Sequence, residues 1–322
     1  MSNAAASAAG REAKGIMVPP DILTGAVRDG SDQVAGNAGK GGNLVEEILL
    51  AGSFIDILRN TSILPRLGTR MLTGLQGDVA IPKQTGATAA YWVAEDGAPT
   101  RTGATFGQVK LTPHSVAGQT EISRRLLLQS ALDVESLIRG DLAQVIALAI
   151  DHAALNGHAS ANAPVGLRAM ALADGSAVNR VNTANAAGLP TYAEVVSMWT
   201  RVAEDNAALG TLSFALHPTT TGHLMTTPKF SGGETPIMVT RDNLMGYAAP
   251  HSNQVTAGES WFGSWSEFIL AMWSGLDLTV DPYTRADTGA IRVVAFQDVD
   301  FGVRHEQAFC LADHTPSGGG GG

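Results

Sequence analysis

The chain has 322 residues, of which 16% are charged, and a formal net charge of −9. Its length allows two or three compact domains with buried cores, and its acidic balance argues against a protein that grips nucleic acid, which normally carries a basic excess. No apolar window reaches the roughly 18 residues that indicate a membrane span, and the single cysteine, Cys310, excludes an internal disulfide.

Residues 1–43 are predicted to form a flexible N-terminal arm, because they combine low hydrophobicity with many glycines. The opening residues lack the basic start and apolar core of a secretory signal. The run GNAGKGG does not match a phosphate-binding loop, since Val34 stands at the first glycine position and Gly41 where serine or threonine belongs. Because charge is sparse, we expect other copies of the chain to cover part of the surface.

The next segment changes from helical to strand-like spacing. Residues 44–59 have the apolar spacing of a helix, and short alternating runs then predict strands at 78–82, 89–94, 106–112 and 115–123. These runs form a long hairpin with the polar, turn-rich tip EDGAPTRTG. A hairpin with so little to bury on itself is marginal alone, so we expect it to pack on an outside partner. An ordinary surface hairpin is the alternative.

Residues 133–157 are predicted to form one long helix around which the protein is organised. Asp133 can accept the first free N–H groups and Gly157 can end the helix. Gly140 inside it costs about 1 kcal/mol relative to alanine, which indicates either a close backbone approach or a bend. The face expected to be buried contains Val134, Leu137, Ile138, Leu142, Val145, Ile146, Ala149, Ala153 and Leu155.

After a loop with weak strand content at 174–188, residues 189–258 read as a compact α/β unit. Thr191 and Glu194 have capping-box spacing for a helix over 191–209. A strand is predicted at 212–216, with Pro218 in the first turn of a further helix. The helix over 191–209 is expected to bury Val195, Met198, Trp199, Val202 and Leu209.

The final part of the chain, to residue 313, reads as three or four antiparallel strands, followed by a glycine tail. Asp281, before a proline, is expected to shape a turn. The inward positions of these strands are expected to be Phe268, Leu270, Leu278, Val280, Ile291 and Val293.

No catalytic, cofactor-binding or metal-binding set is predicted. The eight histidines do not have ligand spacing, and the apolar neighbours of Cys310 favour a buried, inert thiol. Five tryptophans are spread over every segment, which fits core and contact roles better than one ligand cleft. These observations favour assembly over catalysis.

Several motifs, in this order, resemble one family: the major capsid proteins of tailed bacteriophages, of the Hong Kong 97 type. The resemblance covers about residues 41–313. No single fragment is specific to the family, but the occurrence of this many fragments in the family's order is specific. The motifs are GGNLVEEIL, IDILRNTSILPRLGTR, GDVAIPKQTGATAAYWVAEDGAP, FGQVKLTPHSVAGQTEISRRLLLQS, DVESLIRGDLAQVIALAIDHAALNG, PVGL, NLMGYAAP, FGSWSEFIL, LDLTVDPYT and VDFGVRHEQAF.

The resemblance implies an α+β capsid fold whose extended loop lies over the adjacent subunit. It divides the chain into a flexible N-terminal arm (1–43), a helix with the extended β-hairpin loop (44–130), a peripheral domain with the long spine helix (131–188), an axial α/β domain (189–262), closing strands shared by the axial and peripheral domains (263–314) and a flexible glycine tail (315–322).

The function implied is that of a structural protein that self-assembles into the icosahedral head shell around the double-stranded DNA of a tailed bacteriophage or prophage. The implied partners are copies of the chain in pentamers and hexamers, and the portal, scaffold or protease, and decoration proteins of the same phage. DNA is enclosed without sequence-specific binding. The expected location is the virion, after assembly in the bacterial cytoplasm, with no cofactor, no membrane partner and no enzymatic activity.

The subunit interface is expected to include the charged loop tip, where Glu95, Asp96 or Arg101 pairs across a subunit boundary. The full set of expected interface residues is Lys83, Trp92, Glu95, Asp96, Arg101, Lys110 and Arg124.

The sequence departs from the family pattern in two ways, and each departure leads to a prediction. The scaffolding segment that often precedes such proteins is not in this sequence, which indicates a processed form or an engineered truncation. Some members also join the loop to a neighbour by a carboxylate-assisted Lys–Asn isopeptide bond. Lys83 or Lys110 could be the amine, but approximate register places Ala290 at the asparagine position and Gln297 at the carboxylate position.

We therefore predict that no such cross-link forms. Particles heated in denaturant should release single chains on a gel. A ladder of covalent multimers would contradict the prediction.

Two alternatives to a viral shell subunit remain. An encapsulin nanocompartment has a similar fold, but encapsulins usually start with a helix, and the glycine-rich stretch 36–42 speaks against one. The second alternative is a hydrolase whose His, Asp and Ser residues converge only in space. Large polyhedra in negative-stain images would separate both shell types from a hydrolase, which would be a small oligomer.

Overall fold

The computed structural model describes residues 59–93, 95–98, 100–129, 134–158, 160 and 162–314. The expected arm, nearly all of the helix predicted over 44–59, Asp133 and the glycine tail lie outside these residues.

The described part of the chain mixes helices and strands. The helices are α1 (Leu64–Leu67), α2 (Arg124–Gln129), α3 (Val134–Asn156), α4 (Leu167–Leu172), α5 (Tyr192–Glu204) and α6 (Pro218–Thr226), with 3-10 turns at Trp265–Glu267 and Glu306–Ala308. The strands are β1 (Arg70–Thr73), β2 (Val79–Gly86), β3 (Thr105–Leu111), β4 (His114–Ile122), β5 (Asn179–Asn182), β6 (Leu212–Leu216), β7 (Asn243–Leu244), β8 (Tyr247–Ala248), β9 (Ser260–Ser264), β10 (Phe268–Met272), β11 (Asp277–Asp281), β12 (Ile291–Val303) and β13 (Phe309–Asp313).

A five-stranded sheet is built on the long strand β12. Its residues 291–299 pair antiparallel with β4, and its other edge pairs first with β11 and then with β10, which is parallel to β1. A six-stranded sheet has the order β5-β13-β9-β6-β8-β7, and β2 and β3 form a separate hairpin.

The closing strands pair antiparallel with one another as predicted, but their predicted number, three or four, is wrong. The last part of the chain contributes five strands divided between the two sheets. Parallel pairs arise because β1 and β5, from earlier in the chain, lie at the sheet edges. Of the expected inward positions, Phe268, Leu270 and Val293 are buried, whereas Val280 is exposed because it lies on the edge strand β11; Leu278 and Ile291 are only partly buried.

Helix α3 packs on one face of the five-stranded sheet. Leu142, Ile146 and Ile150 are buried there, and Gly118 of β4 leaves the space that the Leu142 side chain fills, since a β-carbon at Gly118 would lie 3.3 Å from Leu142 Cδ2. The stop at Gly157 is confirmed: this residue has φ +77°, and its N–H donates to Ala153 O at 2.8 Å.

The long-helix prediction is wrong about the burial of Leu137, Val145 and Ala149, which are exposed. Leu137 and Val145 are 38% and 45% exposed, because the sheet covers only one stripe of α3 and these side chains lie beside it. Of the two explanations predicted for Gly140, a close backbone approach is excluded among the described residues, since a β-carbon placed there has no heavy atom within 4 Å beyond its own helix turn and chain neighbours; the bend stays a prediction.

The segment before β1 is fastened to α3 by a buried aspartate that the sequence analysis did not single out. The Asp151 carboxylate accepts hydrogen bonds from Ser62 Oγ at 2.9 Å and Ile63 N at 2.6 Å. Burial raises the pKa of Asp151, although the hydrogen bonds it accepts act in the opposite direction. An Arg59–Asp141 ion pair adds a second tie.

Helix α5 covers the six-stranded sheet and starts as predicted. The Thr191 hydroxyl accepts from Glu194 N, and the Glu194 carboxylate accepts from Thr191 N at 2.6 Å, which is the expected capping box. The helix ends at Glu204 and not at 209, because Asn206 adopts φ +56° and turns the chain. Leu209, expected to be buried, is therefore 73% exposed.

Three further local predictions are confirmed. Strand β6 has the predicted bounds, and Pro218 begins α6. The Asp281 carboxylate accepts from the backbone N–H groups of Tyr283 and Thr284 and shapes the turn after β11.

Candidate subunit interface

The hairpin of β2 and β3 is shorter in regular structure than predicted. Its strands pair antiparallel from Val79 opposite Leu111 to Gly86 opposite Thr105. The strand expected at 89–94 is absent: residues 87–93 have no regular structure. There the Thr102 hydroxyl holds the backbone of Ala89, accepting from its N–H at 3.0 Å and donating to its carbonyl at 3.2 Å.

The base of the hairpin is supported by its own chain. Val79, Ile81, Val109 and Leu111 pack in a core cluster with the β10 residues Ile269 and Ala271. Gly302 of β12 makes room for this contact, because a β-carbon there would lie 2.8 Å from Leu111 Cδ2. The expectation that the hairpin needs an outside partner is therefore wrong for its base and applies only to its distal part.

The distal part presents large apolar side chains to solvent. Trp92 is fully exposed, and its neighbours Tyr91 and Val93 are 52% and 51% exposed. Phe106, at the start of β3, is 74% exposed. A solvent-facing run of Tyr, Trp and Val is typical of a protein contact site, where aromatic side chains often carry most of the binding energy.

Four of the expected interface residues lie in the hairpin tip, two line a groove at the hairpin base, and the seventh lies in α2. Trp92, Glu95, Asp96 and Arg101 are all exposed in the tip, residues 87–104. Lys83 and Lys110 lie on opposite faces of the hairpin, because Lys83 is opposite Gly107 and Lys110 is opposite Ala80. Arg124 is exposed at the start of α2, away from the hairpin strands.

A groove at the hairpin base contains a buried carboxylate that sequence reasoning missed. It has a volume of about 440 Å³, and its lining includes Lys83, Lys110, Asp300 and Glu306. Asp300 accepts from Thr112 N at 2.8 Å, which ties the end of the hairpin to β12, and burial raises its pKa. The sequence signal that could have identified Asp300 is its position as an acidic residue between Val299 and Phe301 in a strand-like run.

The remaining candidate groups are engaged in local structure. Cys310 is buried and unpaired, and burial raises its pKa to about 12, so it is a protonated, inert thiol at neutral pH. His305 Nδ1 lies 2.8 Å from a Glu267 carboxylate oxygen. Within the described ranges, no group of three or more His, Cys, Asp or Glu residues could hold a metal ion, and none of the helices described is long and apolar enough to cross a membrane.

The mixed helix and sheet fold is shared with solved phage capsid structures. The capsid of a native GTA particle, computed with C5 symmetry, has a TM-score of 0.73 at 19% identity over 90% of this chain and 100% of that chain. Gordonia phage Cozz has a TM-score of 0.68 at 18% identity over 90% of this chain and 97% of that chain. At such identities the likeness concerns the fold, which places the chain in the class of capsid-fold proteins.

Sequence comparison gives the family. Residues 41–313 match the phage capsid family, and the chain belongs to it. The major capsid protein of Halomonas phage phiHAP-1 is 33% identical over 97% of this chain, and that of Klebsiella oxytoca phage phiKO2 is 28% identical over 42%. The chain spans 50% of the first relative's length and the second match covers 31% of the other. The family is one of structural capsid proteins.

Proposed function

We propose that the chain is the shell-forming subunit of a tailed-phage head, which self-assembles into an icosahedral shell around double-stranded DNA. The observation that carries the assembly step is the hairpin tip, whose Tyr91, Trp92 and Val93 side chains are left in water by the described part of their own chain. Burying such side chains against a second copy removes apolar surface from water. Enclosure, and no reaction, is the activity.

The two sheets fit the two domains of such a subunit. In this proposal α3 is the spine helix and the five-stranded sheet beneath it is the peripheral domain. The six-stranded sheet with α5 and α6 forms the axial domain that meets its copies, and β2 and β3 form the extended loop. The strands of the last segment divide between both sheets, which supports a closing segment shared by the two domains.

The proposed partners follow from this role. Two structural relatives are GTA capsids computed with C5 symmetry, which supports pentamers of this chain, with hexamers completing the shell. Portal, scaffold or protease, and decoration proteins of the same phage are further partners. The net charge of −9 suits a shell that repels the DNA it encloses, and the virion is the final location after assembly in the host cytoplasm.

Charge reversal at the loop tip tests the assembly role of the expected interface. Arg101→Glu should reduce particle yield without unfolding the chain, because Arg101 is exposed and each lost surface pair costs only about 1 kcal/mol in one subunit. The loss repeats at every subunit of a closed shell. Particle yield from light scattering and negative-stain images gives the result.

The matched control is Arg101→Lys, which keeps the charge and should assemble normally. Circular dichroism of unassembled chains checks the fold of both variants. Normal particle yield from Arg101→Glu would remove this residue from the interface.

Particle imaging also separates the alternatives. An encapsulin-like compartment would form shells without a portal vertex or DNA, and a hydrolase would remain a small oligomer. Family membership over residues 41–313 favours the phage shell over both.

A further inference from the structure

A pocket of about 280 Å³ opens between α3, β4 and the turn that follows α3. Its floor is apolar and is built from Val116 of β4, from Ala149, Ile150 and Ala153 of α3, and from Val299 of β12. The volume lies just below the range of about 300–1,000 Å³ that is typical of small-molecule pockets. It suits one large side chain better than a whole ligand.

Two histidines, His114 and His158, lie at the rim of this pocket. Their hydrogen bonds indicate which ring nitrogen donates and which accepts. His114 Nδ1 lies 2.9 Å from the Asn162 carbonyl oxygen, so it donates there. His158 Nδ1 accepts from Ser160 N at 3.1 Å, so the proton of the neutral ring is on Nε2. His158 is exposed. Its Nε2–H is therefore a donor available to an incoming acceptor.

The hairpin tip carries a side chain of suitable size beside acceptors. Trp92 is the most exposed of the large hydrophobic residues described, and Glu95 and Asp96 follow it within four residues. An indole buries about 150–250 Å² when it enters an apolar site. The carboxylates of Glu95 and Asp96 are acceptors for a histidine N–H, which makes the tip and the pocket rim complementary.

The tip cannot fill this pocket in its own chain while the hairpin is extended. The pocket lies beyond the base of the hairpin, at residues 114–117. The paired strands run from the base at Leu111 to Thr105, about 20 Å at 3.3 Å per residue. Trp92 comes six residues after Gly86, the last paired residue of β2, so the paired strands separate it from the base. A second copy of the chain can both fill the apolar pocket and bury the exposed hairpin tip.

We propose that the pocket lined by α3, β4 and residues 158, 160 and 162–164 receives Trp92 from the hairpin tip of a second copy, with Glu95 or Asp96 accepting from His158 of the pocket. The proposal rests on the proposed function, because it requires assembly, and it names the receiving surface. Trp92 is the anchor of the contact, and the carboxylate contact sets its orientation.

Photo-crosslinking in assembled particles tests this assignment. The photoreactive residue p-benzoylphenylalanine at position 92 keeps an aromatic ring in the pocket, and isotope-labelled and unlabelled chains are mixed so that only crosslinks between copies are counted. We expect mixed-label peptides that join position 92 to residues 114–117, 149–153 or 158–164. The same probe at position 106, exposed on the same hairpin, should not label these peptides.

A pair of variants gives a second, quantitative readout. Trp92→Ala and the pocket-filling Ala149→Leu should each raise the concentration needed for assembly roughly tenfold or more, and the double variant should be no worse than either alone. Ala147→Leu, on the same helix but outside the pocket, is the matched control and should assemble like the unmodified chain.

The outcomes distinguish a failure of the pocket assignment from a failure of the proposed function. If particles form but position 92 labels another surface, or labels the pocket no more than position 106 does, the pocket assignment is overturned and the assembly role stands. Additive effects of Trp92→Ala and Ala149→Leu would also overturn it. If the unmodified chain forms no particles, the proposed function itself fails.

Discussion

Gly166→Ala is expected to destabilise the protein by about 3 kcal/mol or more, since overpacking of a close contact usually costs about 1–3 kcal/mol and backbone contacts relax poorly. A β-carbon at Gly166 would lie 2.1 Å from Gly157 N and 2.3 Å from Ala153 O. These two atoms form the hydrogen bond that closes the end of α3. The methyl group would therefore separate α4 from the helix it packs against.

Gly140→Ala is the matched control for this substitution. It makes the same chemical change inside α3, where the added β-carbon meets nothing within 4 Å among the described residues considered. It should stabilise the chain by roughly 0.5–1 kcal/mol because alanine favours the helix. Chemical denaturation of unassembled chains measures both variants. Equal free energies of unfolding for Gly166→Ala and the unmodified chain would show that the contact between Gly166 and the end of α3 can relax to accept the methyl group.

Asp151→Ala should cost about 2 kcal/mol at neutral pH. The substitution leaves the buried N–H of Ile63, which now donates to Asp151 at 2.6 Å, without its acceptor, and an unsatisfied buried donor costs about 1–3 kcal/mol. The substitution also removes the acceptor of the Ser62 hydroxyl. Chemical denaturation measures the loss, and the segment 59–67 should gain hydrogen-exchange rate first.

The same residue predicts a pH dependence of known sign. Burial raises the pKa of Asp151 in the folded state above its ordinary value of 3.8, so the folded chain binds a proton more readily than the unfolded chain. The stabilisation that comes from protonating Asp151 is therefore fully present below pH 3.8 and is lost as pH rises through the folded-state pKa, whereas the hydrogen bonds from Ser62 and Ile63 remain at neutral pH. The stability difference between the unmodified chain and Asp151→Ala should grow on acidification. A difference that shrinks would show that the carboxylate is stabilised in its charged form.

Local signals in the sequence were sufficient for the ends and bounds of several elements. The capping box at Thr191 and Glu194, the stop at Gly157 and strand β6 follow from residues within four positions of each other or from a short apolar run. Such features depend on short-range hydrogen bonds and on backbone preferences, so they can be predicted before any packing is known. Family membership was also accessible, because it depends on the order of motifs along the chain.

Contacts between distant parts of the chain could not be predicted from such local signals. Asp151 meets Ile63 across 88 residues, and Asp300 meets Thr112 across 188. No local pattern shows which apolar stripe of α3 faces the sheet, so Leu137 and Val145 were assigned to the core although they are exposed. Burial of a side chain is a property of what lies opposite it. For the same reason, the division between a supported hairpin base and an uncovered tip followed only from the packing of β2 and β3 on β10.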